Sequence, residues 1–217
     1  MRSEQPSMRF VRFASRLALA LLASLVFCAC GAGPGPNPTP THVPPGCLNF
    51  DDLVAGTAYH VGDTFTTSGL TVVVLPFQEA DGTIAYNGVI SVGNQGQAGS
   101  TGNEISSNNA ALGFVFAQAP ATLSFAYSDK GQVINLGVGG KIAEAKRFSE
   151  LNGQAIGSVN VTVSPVSPAP ISGEMGTVQL SGTMGSFTFP DDKYPSQVEF
   201  VVGGRELFID HVCPDSN

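Results

Sequence analysis

Residues 121–127 read ATLSFAY, with Leu123, Phe125 and Tyr127 on one side of an extended chain and Thr122 and Ser124 on the other. Apolar–polar alternation of this kind marks a strand with one buried face. The same rhythm recurs on either side, at Leu70 to Phe77 (LTVVVLPF), Thr83 to Val92 and Leu112 to Phe116, then Gln132 to Val138 and Val159 to Val163 (VNVTV). It continues at Thr177 to Leu180, Ser186 to Phe189, Gln197 to Val202 and Glu206 to Val212. Turn residues separate the runs, and no glycine-rich phosphate loop leads from a strand into a helix. About ten short antiparallel strands predict an all-β fold, a two-sheet sandwich of jelly-roll type.

Two segments break the rhythm. Lys141 to Leu151 (KIAEAKRFSEL) is rich in helix formers and is followed by Asn152-Gly153, a helix stop. Gly139-Gly140 before it is equally a hairpin turn, which makes residues 142–147 a returning strand and confines helix to one short turn at Phe148 to Leu151. The second reading is preferred, with at most that one helical turn in the domain. Gly93 to Asn109 (GNQGQAGSTGNEISSNN) has no periodicity and reads as a 17-residue loop. Loops of that length inside a compact domain are uncommon and are functional or mobile; its amides and hydroxyls suit a polyol ligand.

The N-terminus has another character. Arg2, Arg9, Arg12 and Arg16 precede Leu17 to Ala29 (LALALLASLVFCA), an apolar run of 13 residues. That run is too short for a bilayer span, which takes about 20 residues, and a basic then apolar start predicts a secretory signal over residues 1–29. Its end resembles a bacterial lipoprotein signal. Cys30 follows Ala29 and precedes Gly31, with Phe27 at −3; Cys28 has Phe27 at −1, where the peptidase needs a small residue. The resemblance implies lipidation of Cys30, a membrane attachment through that lipid, and, with Gly31 next, sorting to the outer membrane of a bacterial envelope. Residues 30–46, largely Gly31 to Gly46 (GAGPGPNPTPTHVPPG), carry no charge and form an extended tether.

Without residues 1–29 the chain keeps 6 basic and 16 acidic residues, a net charge near −10. Phosphate binding needs basic clusters, so nucleic acid is not an expected partner. Residues 47–217 suffice for one domain with a sizeable core. Cys47 and Cys213 stand at its two ends, and outside the cytoplasm a disulfide between them is expected. That bond needs Cα atoms within about 7 Å, so the first and last strands are predicted to be neighbours.

Two segments, CLNFDDLVAGTAYHVGDTF (47–65) and GGRELFIDHVCP (203–214), resemble the ends of jelly-roll domains in secreted bacterial proteins similar to carbohydrate-binding modules. The matching residues are Phe50, Asp51, Asp52, Leu53, Gly56, Tyr59, Gly62 and Phe65, then Ile209, Asp210 and Val212; the two motifs cover about 31 of 171 residues. The resemblance implies a structural Ca²⁺ held by Asp52 or Asp51 together with Asp210 and backbone carbonyls, a ligand set that suits this hard cation. His211 is expected to face away from Asp210 by alternation. Three scattered histidines make no zinc site.

G-x-S-x-G, H-E-x-x-H, C-x-x-C and Walker A patterns are all absent. The chain is therefore expected to bind rather than catalyse, with a glycan or another cell-surface polymer as the first ligand. Sugar platforms stack rings on Trp or Tyr, and there is no Trp. Tyr127 and Tyr59 are assigned to the structure. Tyr86, beside Asn87-Gly88, and Tyr194, in PDDKYP (190–195), are the candidate ligand contacts. A structural or adhesive surface protein is the second reading, and a secreted hydrolase the third.

Overall fold

A computed structural model describes residues 46–79, 82–99, 101–166, 173–187, 194 and 197–215. The signal segment 1–29, Cys30 and the tether as far as residue 45 lie outside the described residues. The strands are β1 (Ala58–His60), β2 (Thr64–Thr67), β3 (Leu70–Gln78), β4 (Ile84–Ala85), β5 (Val89–Gly93), β6 (Glu104–Asn108), β7 (Ala110–Val115) and β8 (Thr122–Asp129). There follow β9 (Ile134–Val138), β10 (Lys141–Ala145), β11 (Ala155–Ile156), β12 (Val159–Val166), β13 (Glu174–Gly182), β14 (Phe200–Gly204) and β15 (Leu207–Asp215). A single 3₁₀ turn, Phe148–Leu151, is the helical element among the described residues.

One sheet runs β1-β5-β6-β15-β8-β13-β12-β11, and the other β10-β9-β14-β7-β3-β2, with β4 on the side of β3. All pairings are antiparallel. Within them β6-β15-β8-β13 faces β7-β14-β9-β10, and the chain crosses between sheets at each of β6→β7, β7→β8, β8→β9, β10→β11, β13→β14 and β14→β15. That is the jelly roll. The fifteen described strands exceed the expected ten because short edge pieces such as β1, β2 and β11 have too few residues to show a period.

The core-facing residues interdigitate between the sheets. A chain of aromatic rings spans the gap: Phe114 to Phe200 at 5.2 Å, Phe200 to Phe125 at 5.4 Å, Phe125 to Phe148 at 5.5 Å and Phe148 to Tyr127 at 4.5 Å. Each such pair adds about 0.5–1.5 kcal/mol beyond the area it buries. Phe148 explains the 3₁₀ turn, which swings back after β10 to cap the core with Phe148 and Leu151. The hairpin at Gly139-Gly140 precedes it, with φ of 58° and 72°, the left-handed pair a two-residue turn needs. A second apolar layer covers the outer face of the six-stranded path, where Val73, Leu75, Ala111 and Val201 pack under Phe187 and Val198.

Several expectations change in detail. Thr83 to Val92 is two strands, broken at Tyr86-Asn87-Gly88. β4 pairs with β3 and β5 with β6, and between them Gly88 passes so close to the Asn109 carbonyl that a Cβ would sit 1.9 Å from its oxygen. Ser186 to Phe189 reduces to a bridge between Phe187 and Val198, residues 188–190 being outside those described. The 93–109 segment is not all loop, because β6 occupies its second half.

Register defines two ends. Cys213 is level with Ser124 and Leu207 with Asp129, so β15 runs toward the end where the two termini of the domain meet. There Cys47 and Cys213 form a disulfide with Cα atoms 4.1 Å apart. Leu48 and Val212 exchange backbone hydrogen bonds of 2.8 and 2.9 Å beside it. Phe50 and His211, both with left-handed φ (57° and 48°), flank this junction; such conformations cost about 1–2 kcal/mol at a non-glycine residue and persist where surrounding packing fixes them. A chain-entropy estimate for so long a loop, 166 residues apart, is about 5 kcal/mol. Cys213→Ser is therefore expected to lower the melting temperature markedly, and reductant to lower that of the wild type toward the same value; a wild type whose melting ignores reductant would contradict this.

Candidate functional site

The far end, opposite the stitched termini, carries two ion pairs on its loops. At one corner Arg205 donates from Nε (3.0 Å) and Nη2 (2.7 Å) to Glu79 Oε1, tying the β14–β15 turn to the end of β3. At another, Lys130 Nζ lies 3.5 Å from Glu206 and over the ring of Phe208. Tyr86 stands nearby in the chain connecting β4 to β5, 60% exposed, with Ile84 39% exposed two residues before it.

Between these corners lies an acid pair. Asp129 and Glu174 are cross-strand partners on β8 and β13. Asp129 continues the parity of Leu123, Phe125 and Tyr127, so its carboxyl enters the interior and is fully buried. The Gly131 N–H donates to Oδ1 at 2.9 Å, while Oδ2 has no hydrogen-bond partner. Burial raises the Asp129 pKa to about 6, against the pull of the Gly131 N–H, and the Glu174 charge adds to the rise. Glu174 Oε1 accepts from the Tyr127 hydroxyl and from the Ser149 N–H at 2.9 Å. Burial, then this bond and the same carboxylate, push the Tyr127 hydroxyl upward as well. Asp129 therefore keeps its proton to a higher pH than an exposed carboxyl does, and it has no exposed surface.

Glu199 is buried at the opposite end, with its Oε2 accepting from the Phe116 N–H at 2.9 Å. Burial raises its pKa despite that bond.

The residues singled out from the sequence divide. Asp52 accepts from Thr67 Oγ1 (2.6 Å) and the Ser68 N–H (2.7 Å), closing the β2–β3 turn. Asp51 accepts from the Asn103 N–H (2.7 Å) and Asn49 Nδ2 (2.8 Å), pinning the opening segment to the approach to β6. Asp210 is fully buried, and its two oxygens meet the His211 N–H (2.7 Å) and Nδ1 (3.2 Å). His211 thus turns toward Asp210 and not away, because a β-bulge between Asp210 and Cys213 resets the alternation. Every carboxylate oxygen of Asp51, Asp52 and Asp210 has a protein donor. Among the described residues no three His, Cys, Asp or Glu side chains gather as a metal-holding group. Asp51 and Asp52 tie loops together, and Asp210 holds His211.

Tyr194 is partly buried against the second apolar layer, so of the two candidate tyrosines Tyr86 presents the more open ring. Tyr59 stacks on Phe65 at 4.3 Å and Tyr127 is core, both structural as expected. Asp129 and Glu174 were not singled out from the sequence, although the parity of ATLSFAYSD leads inward to Asp129. Comparison with protein-family models, curated proteins and solved structures finds no match to this chain.

The Asp129 carboxyl binds its proton more tightly folded than unfolded, where its ordinary pKa is 3.8. Its contribution to stability is full below that value and declines as pH rises through about 6, reaching about 3 kcal/mol of loss by linkage. Asp129→Asn is expected to remove this decline, so that the variant gains about 2–3 kcal/mol relative to wild type between pH 4 and pH 8 in urea unfolding. Parallel pH curves for the two proteins would contradict the assignment.

Proposed function

We propose that the chain is a non-catalytic binding domain, held at a bacterial cell envelope by lipid on Cys30, that engages a glycan or another extracellular polymer at its far end. The observation that carries this reading is the placement of the chain ends. Cys47 and Cys213 close one end of the domain, and Tyr86 projects from the connections at the opposite end. A domain anchored at one pole meets its surroundings with the other, where an exposed ring supplies both an apolar face and a hydroxyl for sugar stacking.

The alternative, an adhesive surface protein making protein contacts, draws on the exposure of Ile84 beside Tyr86, an apolar pair that suits a protein partner as well as a sugar. The hydrolase reading has less support, because the buried acid Asp129 is sealed from solvent and Glu79 is paired with Arg205.

The test is a glycan array and polysaccharide pull-down with the detergent-solubilised full chain, alongside ester and glycoside turnover assays. Tyr86→Ala is expected to weaken polymer binding at least about tenfold, the scale of a lost stacking contact, with unchanged melting and no turnover in either protein. Polymer binding unaffected by Tyr86→Ala would move the contact elsewhere. Binding to protein alone would favour the alternative, and turnover would overturn both.

A further inference from the structure

The end of β3 and β4 form a short hairpin off the six-stranded path, with Phe77 opposite Ala85 and Gln78 opposite Ile84. The Glu79 N–H donates to the Thr83 carbonyl and the Gly82 N–H to the Glu79 carbonyl, both at 2.8 Å, and Gly82 takes the left-handed φ of 81° that this turn needs. Side chains alternate across such a pair, so Phe77 and Ala85 share one face while Gln78 and Ile84 share the other. Exposure follows that division. Phe77 is fully buried, whereas Gln78 and Ile84 are exposed, and so is Tyr86, two residues beyond Ile84 on the same parity. Diagonal neighbours such as Gln78 and Tyr86 stand about 7–8 Å apart, close enough for both side chains to meet one ring-sized ligand.

A two-stranded hairpin this short does not hold its shape alone in water. Two ties fix it to the domain. Asn135 of β9 donates from Nδ2 to the Gln78 carbonyl, although β14 and β7 lie between β9 and β3, so the chain at Gln78 folds across those strands. Arg205, whose own N–H is bound to the Val133 carbonyl at 3.1 Å, reaches the hairpin through its two-pronged contact with Glu79 Oε1. The Arg205 side chain is 47% exposed, and an ion pair so open to water adds little to global stability. Its fork geometry instead sets where the hairpin, and with it the exposed face, stands.

We propose that the β3–β4 hairpin is the binding arm of the far end, with Gln78, Ile84 and Tyr86 as its contact face for an uncharged polyhydroxyl chain and Arg205 as the residue that positions it. The face offers an amide that both donates and accepts, an aliphatic side chain and an aromatic ring with a hydroxyl. The C–H face of a sugar ring fits on Tyr86 and Ile84 while a ring hydroxyl meets Gln78. Residues 77–86 contain two acids, Glu79 and Asp81, and no base, and the chain without residues 1–29 has a net charge near −10. A polyanion meets repulsion here with no cation on the arm to offset it, since the Arg205 charge is matched by Glu79. The proposal rests on the reading that the far end engages a polymer, and adds to it the charge class of the ligand and the roles of Gln78 and Arg205.

The test is affinity electrophoresis of the detergent-solubilised full chain in native gels containing dextran, soluble starch, hydroxyethylcellulose or galactomannan, with polygalacturonate as the anionic probe. The wild type is expected to be retarded by at least one uncharged polysaccharide and not by polygalacturonate. Gln78→Ala is expected to weaken that binding about threefold or more, the scale of one lost hydrogen bond. Arg205→Ala is expected to weaken it several-fold at unchanged melting temperature and to speed hydrogen exchange at the Glu79 and Gly82 amides. Arg205→Lys keeps the charge without the fork and is expected to recover part of the loss. Should Arg205→Ala melt lower, Glu79→Gln, which keeps an acceptor for the fork, is read in its place and is expected to move affinity the same way. Retardation by polygalacturonate alone, or uncharged-polymer binding that either Gln78→Ala or the Arg205 and Glu79 variants leave at the wild-type value, would overturn this inference and leave a binding far end standing. Retardation by no probe would overturn it as well, and with no glycan bound on the array the reading beneath it falls too.

Discussion

The contact between Leu48 and Val212, locked by the neighbouring Cys47–Cys213 bond, joins the opening segment of the domain to its last strand. That last strand is no edge piece: β15 lies between β6 and β8 in the middle of one sheet, as β14 lies between β7 and β9 in the middle of the other. Neither sheet is complete until the C-terminal residues arrive. Such non-local closure is slow and leaves unpaired strand edges exposed meanwhile. A covalent link at this position shortens the search and holds the two left-handed residues, Phe50 and His211, in place.

Sparse charge makes each acid informative. With 12% charged residues, the domain still places Asp129, Glu104, Asp210 and Glu199 in its interior. Each is handled differently. Backbone N–H groups hold Glu199 and one oxygen of Asp129, His211 holds Asp210, and Ala98 holds one oxygen of Glu104. Exposed Asp51 and Asp52 instead cross-tie loops at the stitched end. Polar burial therefore serves loop placement around a sandwich whose apolar interior already specifies the pairing of its sheets.

Where side chains alternate, as in ATLSFAY, the sequence was enough to read strand, face and core; LTVVVLPF was legible as a strand, but its apolar residues are buried on both faces. The turn at Phe148 was legible from the same logic, since Phe148 and Leu151 are apolar beside polar neighbours. What escaped were elements whose buried faces are polar. In EISSN of β6, Ile105 is the single aliphatic residue, while Glu104 and Ser107 are buried by hydrogen bonds, so hydropathy reads it as loop. The His211 bulge escaped because period-two counting cannot register an inserted residue. Tyr194 looked exposed from its proline-flanked surroundings, and its partial burial depends on an apolar cluster to which β3 and β7 contribute Val73, Leu75 and Ala111, remote in sequence. The acid pair was hidden for the same reason: Asp129 and Glu174 meet only once β13 docks on β8.

Native-state hydrogen exchange of individual amides tests the topology most directly. The amides of Val202 in β14 and Ile209 in β15, central in their sheets, are expected in the slowest-exchanging class with those of β7 and β8, well behind the edge strands β1 and β11. Exchange of β15 at the rate of the edge strands would contradict a jelly roll closed through its last strand.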